Sequence, residues 1–140
     1  MDVLQLAAAI DRLAQLHREV AEHALRATGV SAAAAGMLWR LAQLPDARGG
    51  MSALAHLLGC DPSYVTLLAR ELEGAGLVER GEDARDRRRR ILRLSSAGTA
   101  AARKVETAVR AATPLSSLSA EESNELGRRL AALEAVALER

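Results

Sequence analysis

The sequence predicts a mainly α protein with one small two-stranded β hairpin. Apolar residues recur at helical spacing near both ends of the chain, which predicts long amphipathic helices there. Two shorter helical segments follow each other closely in the middle of the chain, and two short β-type runs come next. The predicted order is therefore four helices, two strands and two further helices. A chain of 140 residues fits one domain with one core.

The first two helices are predicted from apolar spacing and from capping residues. The stripe of the first helix, over residues 2–27, consists of Leu6, Ile10, Leu13, His17, Val20 and Ala24. Gly29 is expected to end this helix. Ser31 is the expected N-cap of a second helix over residues 32–44, and a loop is expected over residues 45–50.

The middle of the chain has the pattern of a helix-turn-helix. Two helices are predicted over residues 52–58 and 62–75, separated by the tight turn Gly59-Cys60-Asp61. Asp61 is the expected N-cap and Pro62 the first residue of the second helix. Gly76 is expected to end it. The side chains expected to pack between the helices are Leu54, Leu57, Leu58, Val65, Leu68 and Leu72.

A β hairpin and two more helices complete the predicted order. Strands are expected over residues 77–80 and 90–94, with a charged loop of nine residues between them. Ser95 or Ser96 is expected to cap a helix that runs to about Ala112 and is broken by Pro114. The last helix opens at a capping box, Ser119 to Glu122, and its apolar face carries Leu126, Leu130, Leu133 and Ala137.

The second helix of the helix-turn-helix is the first candidate for contact with DNA. In this motif the second helix enters a major groove, with its N-terminal residues at the base edges. Hydroxyl groups near the N-terminus of a helix can bond phosphates or bases, and the helix dipole favours an anion there. The candidates on the face opposite the apolar stripe are Ser63, Tyr64, Thr66, Leu67 and Arg70.

The hairpin loop is the second candidate, because the net positive charge of the chain is concentrated around it. Residues 80–93 contain seven arginines and three acids and carry a net charge of +4, although the whole chain carries only +1. Runs of charge are usually solvated faces, but a position directly after a helix-turn-helix favours a polyanion. The candidates are Arg85, Arg87, Arg88, Arg89 and Arg90.

Residues 51–100 resemble the winged helix of the MarR family of bacterial transcription regulators. Residues 54–59 resemble the first helix and turn of that family, and residues 63–72 resemble its recognition helix. Residues 72–80 resemble the end of the recognition helix and the first strand of the wing. The most specific likeness is the wing motif, Asp86-Arg87-Arg88 followed by Leu94-Ser95 and Gly98.

The resemblance departs from the family pattern at three positions of this chain. Leu67 stands where an arginine is frequent, and Arg70-Glu71 reverses the common order of an acid and then an arginine. Ser95 replaces the usual threonine, which is a mild change. The first two departures mean that no operator sequence can be carried over from the family.

The resemblance implies a fold, a partner and roles for particular residues. The implied architecture is a winged helix-turn-helix over about residues 31–96, flanked by dimerisation helices over about residues 1–30 and 97–140. Arg88 would enter the minor groove, and Asp86 would hold the wing by pairing with an arginine. Proteins of this family bind double-stranded palindromic operators as homodimers, usually as repressors. Many of them release DNA when a small phenolic or lipophilic acid binds.

Homodimerisation also has an argument from the residues. Both terminal helices carry an apolar stripe, and a chain of 14.9 kDa has little core in which to bury both stripes. Contact with a second copy would cover them and create the two-fold axis that a palindromic site requires.

Other functions are weaker interpretations of the sequence. No catalytic motif, cofactor motif or metal-ligand spacing is present in the sequence, so we expect neither an enzyme nor a cofactor. The apolar runs are too short to span a membrane. A single cysteine allows no internal disulfide, so we expect a reducing, cytoplasmic location. Cys60 is either packed in the turn or a thiol redox sensor of a repressor. Trp39 and Met37 belong to the core or line an effector pocket. A winged-helix interaction module that does not read DNA remains an alternative.

Overall fold

The computed structural model describes residues 1–139, in which six α-helices and a three-stranded antiparallel sheet are present. The helices are α1 (Val3–Ala24), α2 (Ala32–Ala42), α3 (Met51–Leu58), α4 (Pro62–Gly74), α5 (Ser96–Ala112) and α6 (Ala120–Leu138). The strands are β1 (Arg48–Gly50), β2 (Val78–Glu82) and β3 (Arg90–Leu94), in the spatial order β1-β3-β2. The predicted mainly α winged-helix fold is confirmed.

The helix starts lie where the capping residues predict them. The side chains of Ser31, Asp61, Ser95 and Ser119 each accept a hydrogen bond from a backbone N–H in the first turn of the helix that follows. Ser119 and Glu122 form the expected capping box. The predicted helix ends agree less well with the structure. Helix α1 was expected to run to about residue 27 but ends at Ala24, and a separate 3₁₀ turn follows over Arg26–Thr28.

The sheet corrects the prediction of a two-stranded hairpin. Residues 48–50, expected within a loop, form β1 and pair antiparallel with β3, so that Gly49 lies opposite Leu92. A strand that ends in two glycines carries no alternation of apolar and polar side chains, so its sequence gave no strand pattern. A Cβ at Gly49 would lie 2.7 Å from Leu44 Cδ1, so a side chain there would require Leu44 to shift.

The core lies between α2, the helix-turn-helix and the sheet. Its largest fully buried side chains come from α2, α3, α4, β3 and α5, together with Leu25 just after α1. Leu57 was expected to pack with them but is 41% exposed, because the short helix α3 buries only Leu54 and Ala55. Within the described chain, no helix combines the length and the apolar character that a membrane crossing requires.

The two terminal helices leave apolar side chains uncovered. Leu6 and Ile10 on α1 are 47% and 42% exposed, and Leu130 and Leu133 on α6 are 39% and 58% exposed. None of residues 120–137 is buried. Among the described residues, most of the exposed large apolar side chains therefore lie on these two helices.

Candidate nucleic-acid interface

Helix α4 buries one face and exposes the other, as the sequence predicts. Its buried residues are Val65, Leu68, Ala69 and Leu72. Ser63, Tyr64, Leu67 and Arg70 are exposed, and Thr66 is half-buried at the edge of that face. Tyr64 and Leu67 are 43% and 58% exposed, so this face offers both a hydroxyl-bearing ring and an apolar side chain to a partner.

The N-terminus of α4 is rigidly held by its cap. Asp61 Oδ1 accepts hydrogen bonds from the backbone N–H of Ser63 at 2.8 Å and from its hydroxyl at 2.6 Å. These bonds, the one from the hydroxyl first, lower the pKa of Asp61. The hydroxyl of Thr66 donates to the carbonyl of Pro62 at 3.1 Å. Both hydroxyls thus donate within the protein, which leaves their lone pairs as acceptors for a donor such as a base amino group.

The wing consists of β2, β3 and the seven-residue loop 83–89 between them, called here the wing tip. Val78 pairs with Leu94 at its base, and Glu82 pairs with Arg90 next to the tip. The strand β2 extends to Glu82 rather than Arg80, so the loop is shorter than the nine residues expected. The backbone N–H of Asp83 donates to the carbonyl of Arg89 at 3.1 Å and closes the tip.

The two aspartates of the wing tip hold its backbone. Asp83 Oδ1 accepts from the backbone N–H of Arg85, and Asp86 Oδ1 accepts from that of Arg88, both at 3.0 Å. Asp86 was expected to pair with an arginine side chain, but among the described residues it forms no ion pair, and its observed bond is an Asx turn. Because the bonded N–H lies only two residues after Asp86, this local turn is favoured over an ion pair with a more distant guanidinium group.

The candidate arginines of the wing form no ion pair with an acidic side chain of the described residues. At the base of the wing, Arg80 pairs with Glu73 of α4, and Arg93 pairs with Glu79 at 3.2 Å. In the part of the chain that the structure describes, no ion pair involves the five candidate arginines, which are Arg85, Arg87, Arg88, Arg89 and Arg90. All five are exposed, so their guanidinium groups are available to an anionic partner.

The base of the wing is joined to the N-terminus of α5. The hydroxyl of Ser95 donates to the carbonyl of Gly76 at 2.6 Å, and the backbone N–H of Ser95 donates to the carbonyl of Leu77 at 3.1 Å. A Cβ built on Gly98 would lie only 1.8 Å from Leu77 O. The sequence predicts Ser95 as a helix cap, but Gly98 stands out in it only through the family likeness. Their packing role required the coordinates, since nothing local to Gly98 points to Leu77.

Two glutamates near the C-terminal end of α4 tie that helix to its neighbours, and sequence reasoning assigned neither of them a role. Glu71 accepts hydrogen bonds from the backbone N–H and from the hydroxyl of Ser31 at the start of α2. Glu73 pairs with Arg80 on β2. The helix is therefore fixed to the core on one side and to the wing on the other.

A cleft of about 460 Å³ lies between α1, α2 and the helix-turn-helix. Its lining includes His17 and Arg18 from α1, Trp39 and Arg40 from α2, and Cys60 and Tyr64 from the helix-turn-helix. Tyr64 is thus shared between the cleft and the exposed face of α4. Cys60 is half-buried. Met37 also borders the cleft but is fully buried in the core, whereas Trp39 is half-buried.

His17 is held in the wall of the cleft by two contacts. Its Nε2 lies 2.9 Å from Thr113 Oγ1, and its ring meets that of Trp39 edge to face at a centroid distance of 5.9 Å. Burial lowers the pKa of His17, since it disfavours the charged imidazolium. No group of three or more metal-ligating side chains occurs in the described residues.

Residues 31–89 match the family model described as the MarR family. This range covers α2, the helix-turn-helix, β2 and the wing tip, and it stops just before β3. A comparison with curated proteins found no match.

Several solved structures share the fold over nearly the whole chain. CouR from Rhodococcus jostii RHA1, solved with p-coumaroyl-CoA, has a TM-score of 0.74 at 22% identity, covering 92% of this chain and 91% of its own. AbsC, a MarR family transcriptional regulator from Streptomyces coelicolor, has a TM-score of 0.70 at 23% identity, covering 100% and 97%. Sco3205, a regulator of the same family and organism solved in complex with DNA, has a TM-score of 0.65 at 24% identity, covering 93% and 84%.

Proposed function

We propose that this chain, whose residues 31–89 match the MarR family model, is a transcriptional regulator that binds double-stranded DNA as a homodimer and represses from a palindromic operator. The observation that carries the proposal is the wing tip, whose exposed arginines have no acidic partner among the described residues and follow a helix-turn-helix directly. A cationic loop of this kind matches a polyanion far better than it matches an ordinary protein surface.

Each of the two exposed elements has a role in the proposed complex. Helix α4 enters a major groove and brings Ser63, Tyr64, Leu67 and Arg70 to the base edges. The wing tip lies along the neighbouring minor groove, with Arg88 inserted and the other arginines on phosphates. Because Asp86 fixes the backbone of Arg88, little conformational freedom of the tip is lost on binding. The DNA complex of Sco3205 supports this mode, since that protein shares the fold.

The exposed apolar faces of α1 and α6 support a homodimer. Leu6, Ile10, Leu130 and Leu133 are all more than a third exposed in the single chain. Burying such side chains against a second copy yields about 25 cal/mol for each Å² of apolar surface removed from water. The two-fold axis of that contact would place two α4 helices on successive half-sites.

The cleft is the proposed site of a small phenolic or lipophilic acid that releases DNA. Its volume suits a small organic ligand, and its walls combine aromatic rings with two guanidinium groups, those of Arg18 and Arg40. A carboxylate can pair with either guanidinium, and a ring can pack on Trp39 or Tyr64. CouR was solved with p-coumaroyl-CoA, so one protein of this fold holds a phenolic acyl ligand. An acid that contacts Tyr64 acts directly on the DNA-facing helix.

A fluorescence-anisotropy titration of DNA fragments from the chain's own upstream region tests the proposal. The wild type is expected to bind one fragment with a dissociation constant of about 10⁻⁸ M at moderate salt, and the affinity should fall steeply with added salt. Arg88→Ala should weaken binding by about fivefold or more, which corresponds to roughly 1 kcal/mol. The matched control Arg110→Ala, on the exposed side of α5, should bind as the wild type does. Addition of 4-hydroxybenzoate to the complex tests release.

Two results would contradict parts of the proposal. Flat curves for every fragment even at low salt would favour the protein-interaction module over a DNA-binding regulator. Wild-type affinity of the Arg88→Ala variant would contradict the assignment of the wing tip while leaving DNA binding by α4 intact.

A further inference from the structure

Glu71 makes an unusual contact for a surface residue of a DNA-facing helix. One carboxylate oxygen accepts from the backbone N–H of Ser31, and the other accepts from the hydroxyl of Ser31 at 3.0 Å. Ser31 is also the N-cap of α2, where its hydroxyl oxygen accepts from the backbone N–H of Ala34 at 3.2 Å. A single carboxylate on α4 therefore engages both donors of the residue that begins α2.

The negative charge of Glu71 lies at the N-terminus of α2, where it is electrostatically favourable. The N-terminus of a helix carries a partial positive charge, and a carboxylate placed there is stabilised by it and by charge-assisted hydrogen bonds. Helix α2 is in turn the most deeply buried helix, with Ala34, Ala35, Met37, Leu38 and Leu41 in the core. Glu71 thus connects the exposed helix α4 to a helix whose inner face is buried in the core.

The apolar packing of α4 cannot supply the same constraint. Burial of Val65, Leu68 and Leu72 holds the helix against the core, but hydrophobic contacts are non-directional and permit small rotations and slides. A pair of hydrogen bonds to one residue fixes both the height and the rotation of the helix. The pair lies toward the C-terminal end of α4, so the N-terminal turns with Ser63 and Tyr64 stay free for a partner.

We infer that Glu71 is a positioning residue for DNA recognition, which sets the pose of α4 through Ser31. This role rests on the proposed function. It also accounts for one departure from the family pattern, the acid at position 71 where an arginine is common, because an arginine could not accept from the two donors of Ser31.

The experiment compares Glu71→Ala, Glu71→Gln and the control Glu106→Ala, which removes a glutamate paired with Arg110 on α5. Amide hydrogen exchange of the free proteins measures the bond itself. The Ser31 amide should exchange at least about tenfold faster in Glu71→Ala than in the wild type, since its acceptor is gone. Glu71→Gln retains one acceptor oxygen and should keep most of the protection.

DNA titrations then measure the consequence. Affinity for the operator fragment should fall by about tenfold in Glu71→Ala, while affinity for an unrelated fragment at low salt stays within about twofold, because phosphate contacts of the wing tip dominate the latter. Glu71→Gln should recover operator affinity to within about threefold of the wild type, and Glu106→Ala should change neither affinity.

The outcomes separate the inference from the function on which it rests. An unchanged operator affinity in Glu71→Ala would overturn the positioning role, and so would an equal loss on both DNAs together with a lower folded fraction. If the wild type itself shows no preference for any fragment, the proposed function fails and the positioning role fails with it. In that case the exchange data still report whether the bond exists.

Discussion

Replacing Gly98 by alanine should disrupt the contact between α5 and the base of the wing. The added Cβ would lie 1.8 Å from Leu77 O and 2.8 Å from Leu77 C, and both are backbone atoms that no rotamer change can move away. A carbon and a carbonyl oxygen normally approach no closer than about 3.3 Å. The start of α5 or residue 77 must therefore shift by about 1.5 Å, which is the difference between these two distances.

The size of the effect follows from what this shift disturbs. Overpacking of a tight site costs about 1–3 kcal/mol, and a clash with backbone belongs at the upper end. The shift also strains the two hydrogen bonds of Ser95 to the carbonyls of Gly76 and Leu77, each contributing about 1 kcal/mol. Alanine has a higher helix propensity than glycine, which offsets about 1 kcal/mol. We expect a net loss of about 3 kcal/mol, equivalent to a drop of about 10 °C in Tm for a chain of this size.

Thermal unfolding followed by circular dichroism measures this loss, at one fixed protein concentration because the Tm of the proposed dimer would depend on concentration. The matched control is Gly36→Ala in α2, where a Cβ meets nothing within 4 Å. That control should raise Tm slightly, since it gains helix propensity without a clash. A Gly98→Ala variant with a Tm within about 2 °C of the wild type would refute the reasoning, because the base of the wing would then tolerate a side chain that its geometry forbids.

Two further changes test the apolar helices and the cleft. Leu133→Glu on α6 should yield monomers in sedimentation velocity at micromolar concentration, because it places a charge in the proposed dimer contact. The control Glu134→Gln should leave the proposed dimer intact, and a dimeric Leu133→Glu variant would contradict the interface. Burial lowers the pKa of His17 from 6.5, so the folded state favours the neutral ring. The folded state is therefore most stable with respect to this group above pH 6.5, and that part of the free energy of unfolding is lost as the pH falls below it. The free energy of unfolding should therefore decline more between pH 7 and pH 5 in the wild type than in His17→Gln, and equal declines would contradict this reading.

The parts of the fold that were predictable from the sequence are those encoded locally. Asp61-Pro62, Ser95 and Ser119 each place a hydrogen-bond acceptor where a helix begins, and the structure confirms all three starts. Strand β1 was missed because Gly49 and Gly50 carry no side chains that could alternate, and only pairing with β3 makes them a strand.

The candidate site was predictable to the same extent and for the same reason. The exposed face of α4 follows from helical periodicity, so Tyr64, Leu67 and Arg70 could be named in advance. The hydrogen bond of Asp86 could not be named in advance, because a local turn competes with every arginine around it. The arginine pairing that the family likeness implies is not present among the described residues. The contact of Glu71 with Ser31 spans 40 residues and depends on how α2 and α4 pack, which no local pattern specifies.

In the proposed function, coupling between DNA and a ligand would act through residues that line the cleft. Tyr64 belongs both to the cleft wall and to the face proposed to meet DNA, so the same side chain would contact either proposed partner. A ligand that holds Tyr64 in a position unsuited to the groove weakens DNA binding without any large change in the fold. Because coupling between two binding equilibria is reciprocal, operator DNA must then weaken binding of that ligand by the same factor. In this proposal Glu71 would strengthen the coupling. Because its hydrogen bonds tie the C-terminal end of α4 to α2, a bound ligand would displace the N-terminal turns of α4 rather than the whole helix.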